Sequence, residues 1–248
     1  MNIDSPVTVL LVDDDSLIRA GLGAILGSDQ RICIVGEAEN GHRAIELSQR
    51  LDPAVILMDI RMPQLDGLSA MESILDQKPD AKVMILTTFG DESYIDRALS
   101  GGAAGFILKS SGPDELISAV LAVAEGAAAL SPRIAQRVIE KVRNLDSSGQ
   151  SDAQTLVRKL TAREHDVLAL VGASLTNSEI AGRLFLTEAT VKGHMTSIML
   201  KINARNRVDA ALIAYRAGIV DAQIPGCCIP RGIFDASTCY YMHTHINW

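Results

Sequence analysis

Acidic residues follow directly after two apolar runs of this sequence, and their type and position suit the binding of a hard metal ion. Residues 9–12 are apolar and lead into Asp13 and Asp14, and residues 55–58 are apolar and lead into Asp59. Four apolar residues in a row are typical of a buried strand, and parallel strands of an α/β sheet place their carboxyl ends at one edge. Carboxylates gathered at that edge are ligands that suit Mg²⁺.

Two further strand ends add groups that bind phosphoryl oxygens. The apolar residues 84–86 end at Thr87, and residues 106–108 end at Lys109. A hydroxyl and an ammonium at the same sheet edge can hold the oxygens of a phosphoryl group carried on a carboxylate. The pattern therefore indicates phosphoryl chemistry at a carboxylate.

These residues need a sheet of parallel strands to bring them together, and the hydrophobic pattern predicts one. Strand-like runs alternate with helix-like stretches through the first 125 residues. The strands are expected at 7–12, 32–35, 55–58, 83–86 and 104–108, and the helices at 16–27, 41–51, 65–77, 91–100 and 113–125. This alternation predicts an α/β doubly wound five-stranded parallel sheet with helices on both faces.

The pattern changes after Ser131. A short helix is expected over 131–143, followed by a flexible polar linker over 144–152. Capping boxes then predict helices that begin after Thr161 and Thr176, because Glu follows each hydroxyl three residues later.

A third helix is expected after Thr187 and a fourth over 207–217, ending at Gly218. The third helix carries an apolar stripe that predicts its buried face, formed by Val191, Met195, Ile198, Met199 and Ile202. Four short helices suit a small all-α domain that contains a helix-turn-helix.

Composition and charge favour two domains of different character. The 248-residue chain has a net charge of −7; residues 1–130 hold 9 Lys/Arg and 20 Asp/Glu, net −11, and residues 155–221 hold 9 and 6, net +3. Any nucleic-acid contact is therefore expected in the second part. The sequence shows neither a signal-like start nor a long uncharged apolar run, so we expect a cytoplasmic protein without a membrane span.

Residues 222–248 differ from the rest of the chain in lacking periodicity, and we expect an atypical, poorly ordered tail. Zinc binding there stays an alternative, although adjacent cysteines lack the usual two-residue spacing. Its candidate ligands are Cys227, Cys228, Cys239, His243 and His245.

Residues 5–127 resemble the receiver domain of two-component response regulators, because five separated elements agree in order and spacing. Pro63 and Gly67 match the turn that follows the acceptor in that family. The resemblance implies that Asp59 accepts the phosphoryl group. It also implies a Mg²⁺ site and a set of switch residues: Asp13, Asp14, Asp59 and the backbone carbonyl of Arg61 for the metal, and Thr87, Phe106 and Lys109 for the phosphoryl group and the switch. Phe106 departs from the more usual Tyr or His and lacks a polar tip.

Residues 157–221 resemble the LuxR-type helix-turn-helix of the NarL/FixJ group, after a linker over 128–156. The resemblance rests on residues 160–164, 176–181, 187–194 and 205–207. It implies that helix 187–202 is the recognition helix in the major groove of double-stranded DNA. The implied DNA contacts are Lys192, Gly193, Thr196, Arg205 and Arg207. Gly193 and Thr196 stand where larger or more polar side chains are common, so we expect thin base readout.

The sequence therefore predicts a DNA-binding response regulator that a sensor histidine kinase phosphorylates on Asp59 and that controls transcription. An apolar stripe on the last helix predicts a homodimer through Ala211 and Tyr215. The alternative is a phosphorylated receiver whose helical domain binds a protein partner rather than DNA. An aspartyl phosphatase of haloacid dehalogenase type would leave the Asp59 loop and the helix-turn-helix unexplained, so we do not expect an enzyme.

Overall fold

The computed structural model describes residues 5–88, 92–131, 134 and 148–220. The expected helix over 131–143 and the tail over 222–248 lie almost wholly outside these residues. None of the described helices is long and apolar enough to cross a membrane.

A parallel sheet forms the N-terminal domain, as the alternating pattern predicted. Its strands lie in the order β2-β1-β3-β4-β5-β6, and every pair is parallel. The strands are β1 (Val7–Val12), β2 (Ile32–Ala38), β3 (Val55–Asp59), β4 (Val83–Thr87), β5 (Gly105–Leu108) and β6 (Ala129–Leu130). The first five were predicted; β6 has only two residues, too few for an alternating pattern to show.

Five helices cover the two faces of this sheet. They are α1 (Ser16–Gly27), α2 (Gly41–Leu51), α3 (Gly67–Gln77), α4 (Glu92–Gly101) and α5 (Pro113–Ala124). Leu10 and Val12 of β1 pack into one apolar core, and Val9 and Leu11 pack into another on the opposite face. This alternation follows from the period of two along a strand. The doubly wound architecture is confirmed.

Local signals explain where the helices at the site begin. Asp15 accepts hydrogen bonds from the backbone of Leu17 and Ile18 and so caps α1, and Asp66 accepts from Ser69 and caps α3. Each carboxylate satisfies backbone N–H groups that lack a partner in the first helical turn. Both residues serve as caps.

The C-terminal domain is a set of helices with its own apolar core. They are α6 (Ser148–Val157), α7 (Ala162–Gly172), α8 (Asn177–Leu184), α9 (Glu188–Ile202) and α10 (Arg207–Ala217). Both capping boxes are formed, at Thr161 and at Thr176. Asn203 ends α9 in the left-handed conformation, with φ of 54°. Asn tolerates this conformation better than most residues, so the turn survives without glycine.

Helix α6 corrects the expectation of a flexible linker through residue 152. Ala153 and Val157, four residues apart, are buried in the core of the helical domain. Packing against that core stabilises a helix that its polar sequence does not indicate. The order in this segment is therefore tertiary in origin.

The two domains contact each other through α4 and α10. The side-chain amide of Asn206 donates to the carbonyl of Leu99 at 3.1 Å, and the guanidinium of Arg205 donates to the carbonyl of Ser100. Leu212 of α10 packs against the apolar core of the sheet domain. The last carbonyls of a helix have no donor within the helix. In α4, the helical domain supplies donors to two of them.

Gly67 gives a test of the tight turn after β3. A Cβ at this position would overlap the backbone carbonyl oxygen of Asp59, so Gly67→Ala must displace the turn. We expect a loss of about 2 kcal/mol or more in the unfolding free energy of the sheet domain. Urea denaturation followed by circular dichroism measures this loss.

The matched control is Gly21→Ala on the exposed side of α1, where a Cβ would meet nothing within 4 Å. It should stabilise the domain by about 0.5–1 kcal/mol, because alanine favours the helix over glycine. Equal stability of the two variants would contradict the close approach at Gly67.

Candidate functional site

The carboxyl edge of the sheet gathers three carboxylates. Ligand atoms of Asp13, Asp14 and Asp59 all lie within 4.8 Å of one another. Asp13 is fully buried, Asp59 is 6% exposed, and Asp14 is exposed to solvent. Strands β1 and β3 are neighbours with Val12 opposite Met58, so their next residues, Asp13 and Asp59, emerge side by side. Parallel pairing therefore builds the cluster that the two sequence runs predicted.

Lys109 supplies the positive charge that this cluster needs. Its Nζ lies 2.6 Å from Oδ2 of Asp13 and 3.2 Å from Oδ1 of Asp59. The backbone N–H of Lys109 donates to the Thr87 carbonyl at 2.7 Å, which holds the lysine beside the end of β4. One ammonium thus bridges two buried carboxylates.

Electrostatics at Asp59 reflect a balance between burial and this lysine. Burial raises the pKa of the Asp59 carboxyl above its ordinary value, the ammonium of Lys109 opposes that rise, and the charge of Asp13 adds to it. Without Lys109, the repulsion between two neighbouring carboxylates in a buried site would disfavour the state in which both are ionised. Lys109 therefore stabilises the negative charge of the carboxylate pair.

The other residues predicted for the receiver site surround this centre. Thr87 is buried at the end of β4, one residue beyond Leu86, which pairs with Asp59. Phe106 is fully buried on β5. Arg61 lies in the turn after β3, and its guanidinium donates to the Thr88 hydroxyl at 3.2 Å. The sheet thus places Thr87 and Lys109 at neighbouring strand ends, with Phe106 in the core.

Arg19 is a residue of the site that sequence reasoning missed. Its guanidinium donates to the backbone carbonyl of Asp13 at 2.6 Å and pairs with Glu37 at 3.2 Å. It thereby ties α1 and β2 to the start of the acidic cluster. Its position one helical turn after the cap Asp15 was the available signal, but that spacing alone does not show what the side chain reaches.

The predicted recognition helix, α9, presents the expected faces. Val191, Met195, Ile198 and Ile202 are buried, while Met199 is half-buried. Lys192, Gly193 and Thr196 are exposed. The buried stripe therefore fixes which side of α9 faces outward.

A buried glutamate joins α9 to the first helix of the helix-turn-helix region. Glu164 is 4% exposed and accepts from the backbone N–H of Thr161, from the Ser197 hydroxyl at 2.6 Å and from Lys201 at 2.7 Å. The hydrogen bonds from Lys201, Ser197 and Thr161 lower the pKa of the Glu164 carboxyl to about 2. The capping box was predicted, but its link to α9 was not.

The two arginines predicted to contact DNA have partners within the protein. Arg205 is exposed and donates to Ser100, as described above. Arg207 is half-buried and donates to Asn177 Oδ1 at 2.8 Å and to the Leu175 carbonyl. Burial lowers the pKa of Arg207 to about 10. In this arrangement Arg207 links α8 and α10, and Arg205 links the two domains.

A parallel sheet whose carboxyl edge holds three carboxylates and a bridging lysine, joined to a helix-turn-helix, is the architecture of a receiver domain followed by a regulatory helical domain. A family model described as "Response regulator receiver domain" matches residues 9–121, and one described as "Bacterial regulatory proteins, luxR family" matches residues 158–214.

Relatives match most of the chain. The transcriptional regulatory protein YxjL of Bacillus subtilis is 38% identical over 220 residues, which cover 89% of this chain and 100% of that protein. The nitrate/nitrite response regulator protein NarL of Escherichia coli is 33% identical over 219 residues, 88% of this chain and 100% of NarL. The chain therefore belongs to the response regulators with a LuxR-type DNA-binding domain, a family of transcription regulators and not of enzymes.

Solved structures show the same fold. A LuxR-family response regulator from Aurantimonas has a TM-score of 0.53 and 31% identity, covering 55% of this chain and 98% of its own. The response regulator RcsB of Salmonella typhimurium has a TM-score of 0.51 and 25% identity, covering 85% and 98%. The fold class and the predicted family are confirmed.

Glu164 makes the stability of the helical domain depend on pH. Its folded pKa of about 2 lies below the ordinary glutamate value of 4.5, so the carboxylate stabilises the folded state fully above about pH 4.5. This contribution is lost as the pH falls from 4.5 towards 2. Urea denaturation of the protein at pH 6, 4 and 3 should show a progressive loss that Glu164→Gln does not share.

The control is Asp152→Asn, which removes a charge from an exposed position on α6. Its stability should follow that of the wild type at every pH. A Glu164→Gln variant with the full wild-type pH dependence would show that another group is responsible.

Proposed function

We propose that Asp59 is the phospho-acceptor of this response regulator and that a sensor histidine kinase is its donor. The observation that carries the proposal is the Lys109 ammonium placed between Asp13 and Asp59, with Asp14 beside them. A carboxylate set among an ammonium, a hydroxyl and two further carboxylates has partners for an incoming phosphoryl group.

The proposed transfer uses groups of this chain. An Asp59 oxygen attacks the phosphorus of a phosphohistidine, the P–N bond breaks, and the imidazole of the kinase leaves. In this step Lys109 and Thr87 bind the oxygens of the phosphoryl group, and Phe106 packs behind the switch hydroxyl. Lys109 already lies within ion-pair distance of Asp59, so it does not have to be recruited.

The same carboxylates fit a magnesium ion. Asp13, Asp14 and Asp59 supply hard oxygen ligands within 4.8 Å of one another, and we propose the carbonyl of Arg61 as a further ligand. Mg²⁺ bound there would offset negative charge on the phosphoryl oxygens. Asp14 is the exposed member of the set, so it remains open to an ion from solvent.

The helical domain is proposed to bind double-stranded DNA with α9 in the major groove. Lys192, Gly193 and Thr196 form its exposed side, and Arg205 and Arg207 are the proposed phosphate contacts. Of the relatives named above, YxjL is a transcriptional regulatory protein and NarL is a response regulator protein. We therefore propose the cytoplasm, where bacterial DNA lies, as the site of action.

Contacts between the domains support control of DNA binding by the receiver. The guanidinium of Arg205 donates a hydrogen bond to the Ser100 carbonyl of α4, which ties this proposed phosphate contact to the receiver. We propose that this arrangement is the masked state and that phosphorylation opens it.

Dimerisation on DNA is the remaining part of the proposal. On α10, Val208 is buried and Leu212 packs against the receiver, whereas Tyr215 is 38% exposed and Ala211 is partly exposed. Tyr215 and Ala211 are therefore the proposed dimer contacts. A second half-site would add the specificity that one small domain lacks.

Phosphorylation at Asp59 has a direct test. Incubation with acetyl phosphate and Mg²⁺ should add one phosphoryl group per wild-type chain and none to Asp59→Asn, as measured by intact mass. Asp15→Asn should label like the wild type, because Asn caps α1 equally well. A phosphoryl group on the Asp59→Asn variant would show that another residue is the acceptor.

Masking predicts that the receiver weakens DNA binding. In a mobility-shift assay at low salt, residues 148–220 alone should bind DNA more tightly than the unphosphorylated full chain, by about tenfold or more. Phosphorylation of the full chain should reduce this difference in affinity. Lower affinity of the isolated helices than of the full chain would exclude masking, and no binding by either protein would contradict the DNA-binding proposal itself.

The dimer proposal is tested by stoichiometry. Sedimentation of the phosphorylated protein with a two-fold symmetric site should give two chains per duplex, and Tyr215→Asp should reduce this to one. If two chains of the variant bind each duplex with unchanged affinity, Tyr215 is not part of the dimer interface.

A further inference from the structure

The outward side of α9 can be described residue by residue. Ala189, Gly193, Thr196 and Leu200 follow one another at helical spacing on the side opposite the buried stripe. All four are exposed, Leu200 to 79%, and a Cβ at Gly193 would meet nothing within 4 Å. We call these four residues the reading face.

The reading face offers few polar groups. Ala189, Gly193 and Leu200 have no side-chain donor or acceptor. Thr196 has a hydroxyl, but this hydroxyl donates to the Lys192 carbonyl of the preceding turn at 3.1 Å. Its donor is therefore used inside the helix, and the groups left for a partner are its γ-methyl and the lone pairs of its oxygen. Most of the face is hydrocarbon.

Charge is also sparse along this face. Lys192 is the basic residue beside it, whereas Lys201 is held by Glu164. A large exposed leucine on the outward side of a helix is costly in water. Burial against another apolar group would recover that cost.

We propose that the reading face recognises thymine methyl groups in the major groove, with Thr196 and Leu200 as the residues that set specificity. This inference rests on the proposed DNA binding and names the base that the site reads. The thymine methyl is the apolar group that an unmodified base edge presents there; guanine, cytosine and adenine present donors and acceptors.

The energetic argument favours thymine over the other bases. Leu200 pressed against guanine or cytosine would strip water from polar atoms without replacing their hydrogen bonds. The same side chain against a thymine methyl buries two apolar surfaces. A·T-rich half-sites with thymines at the contacted positions are therefore the predicted ligand, and Lys192 adds a phosphate or purine contact.

The test starts from DNA chosen by the protein. Phosphorylated full-length protein selects duplexes from a random 20-base-pair library, and the enriched half-site is expected to hold thymine at two or more positions. Replacing these thymines by deoxyuridine removes the 5-methyl groups and keeps the base pairing. Affinity should fall about fourfold for each contacted thymine, as for the loss of one buried methyl group.

Matched variants separate contact from DNA shape. Thr196→Ser removes the γ-methyl and keeps the hydroxyl, so it should lower affinity for the thymine duplex and shrink the difference between thymine and deoxyuridine. Leu200→Ala should do the same at its own position. Thr155→Ser on α6 is the control, because Thr155 is also exposed and its hydroxyl also donates to a carbonyl one turn back. It should leave both affinities unchanged.

The outcomes distinguish this inference from the proposed function. Equal binding of thymine and deoxyuridine duplexes, or selected half-sites without thymine, overturns the methyl readout while DNA binding stands. A discrimination against deoxyuridine that persists fully in both Thr196→Ser and Leu200→Ala also overturns it. No enrichment of any duplex, even at low salt, would instead refute the proposed DNA binding.

Discussion

The ammonium of Lys109 between Asp13 and Asp59 is the interaction on which the receiver depends. Two buried carboxylates at neighbouring strand ends repel each other, and burial adds the cost of lost hydration. Lys109 offsets both effects, and it reaches the pair because β5 ends beside β4. The strand order, and not any single strand, makes this three-residue arrangement possible. A phosphoryl group on Asp59 would change the charge that Lys109 has to balance.

That electrostatic centre is connected to the helical domain through α4. Thr87 ends the strand that precedes α4, and the C-terminal carbonyls of α4 receive donors from Arg205 and Asn206. Asn206 also caps α10 through its side-chain oxygen, so one residue serves both a helix start and the domain contact. A shift of α4 would therefore break hydrogen bonds to the residues that open α10. These hydrogen bonds make α4 the element of the sheet domain that holds the start of α10.

Much of the fold follows from local signals in the sequence. Apolar runs marked the strands, and Thr161 and Thr176 marked helix starts because side-chain oxygens satisfy the free N–H groups of a first turn. The acidic cluster was also predictable, because parallel strands place their carboxyl ends at one edge. Strand β6 and helix α6 were not predictable, since two residues carry no period and a polar helix needs a core to pack against.

The sequence by itself determined the order of strands and helices, the caps, and which residue types could bind a phosphoryl group. Tertiary structure alone decided the partners of long side chains. Arg205 binds α4, Arg207 binds α8, and Glu164 binds Lys201 thirty-seven positions away. The reason is physical: caps and periodicity act within one or two turns of chain, whereas a flexible charged side chain pairs with whatever the packed fold brings within reach.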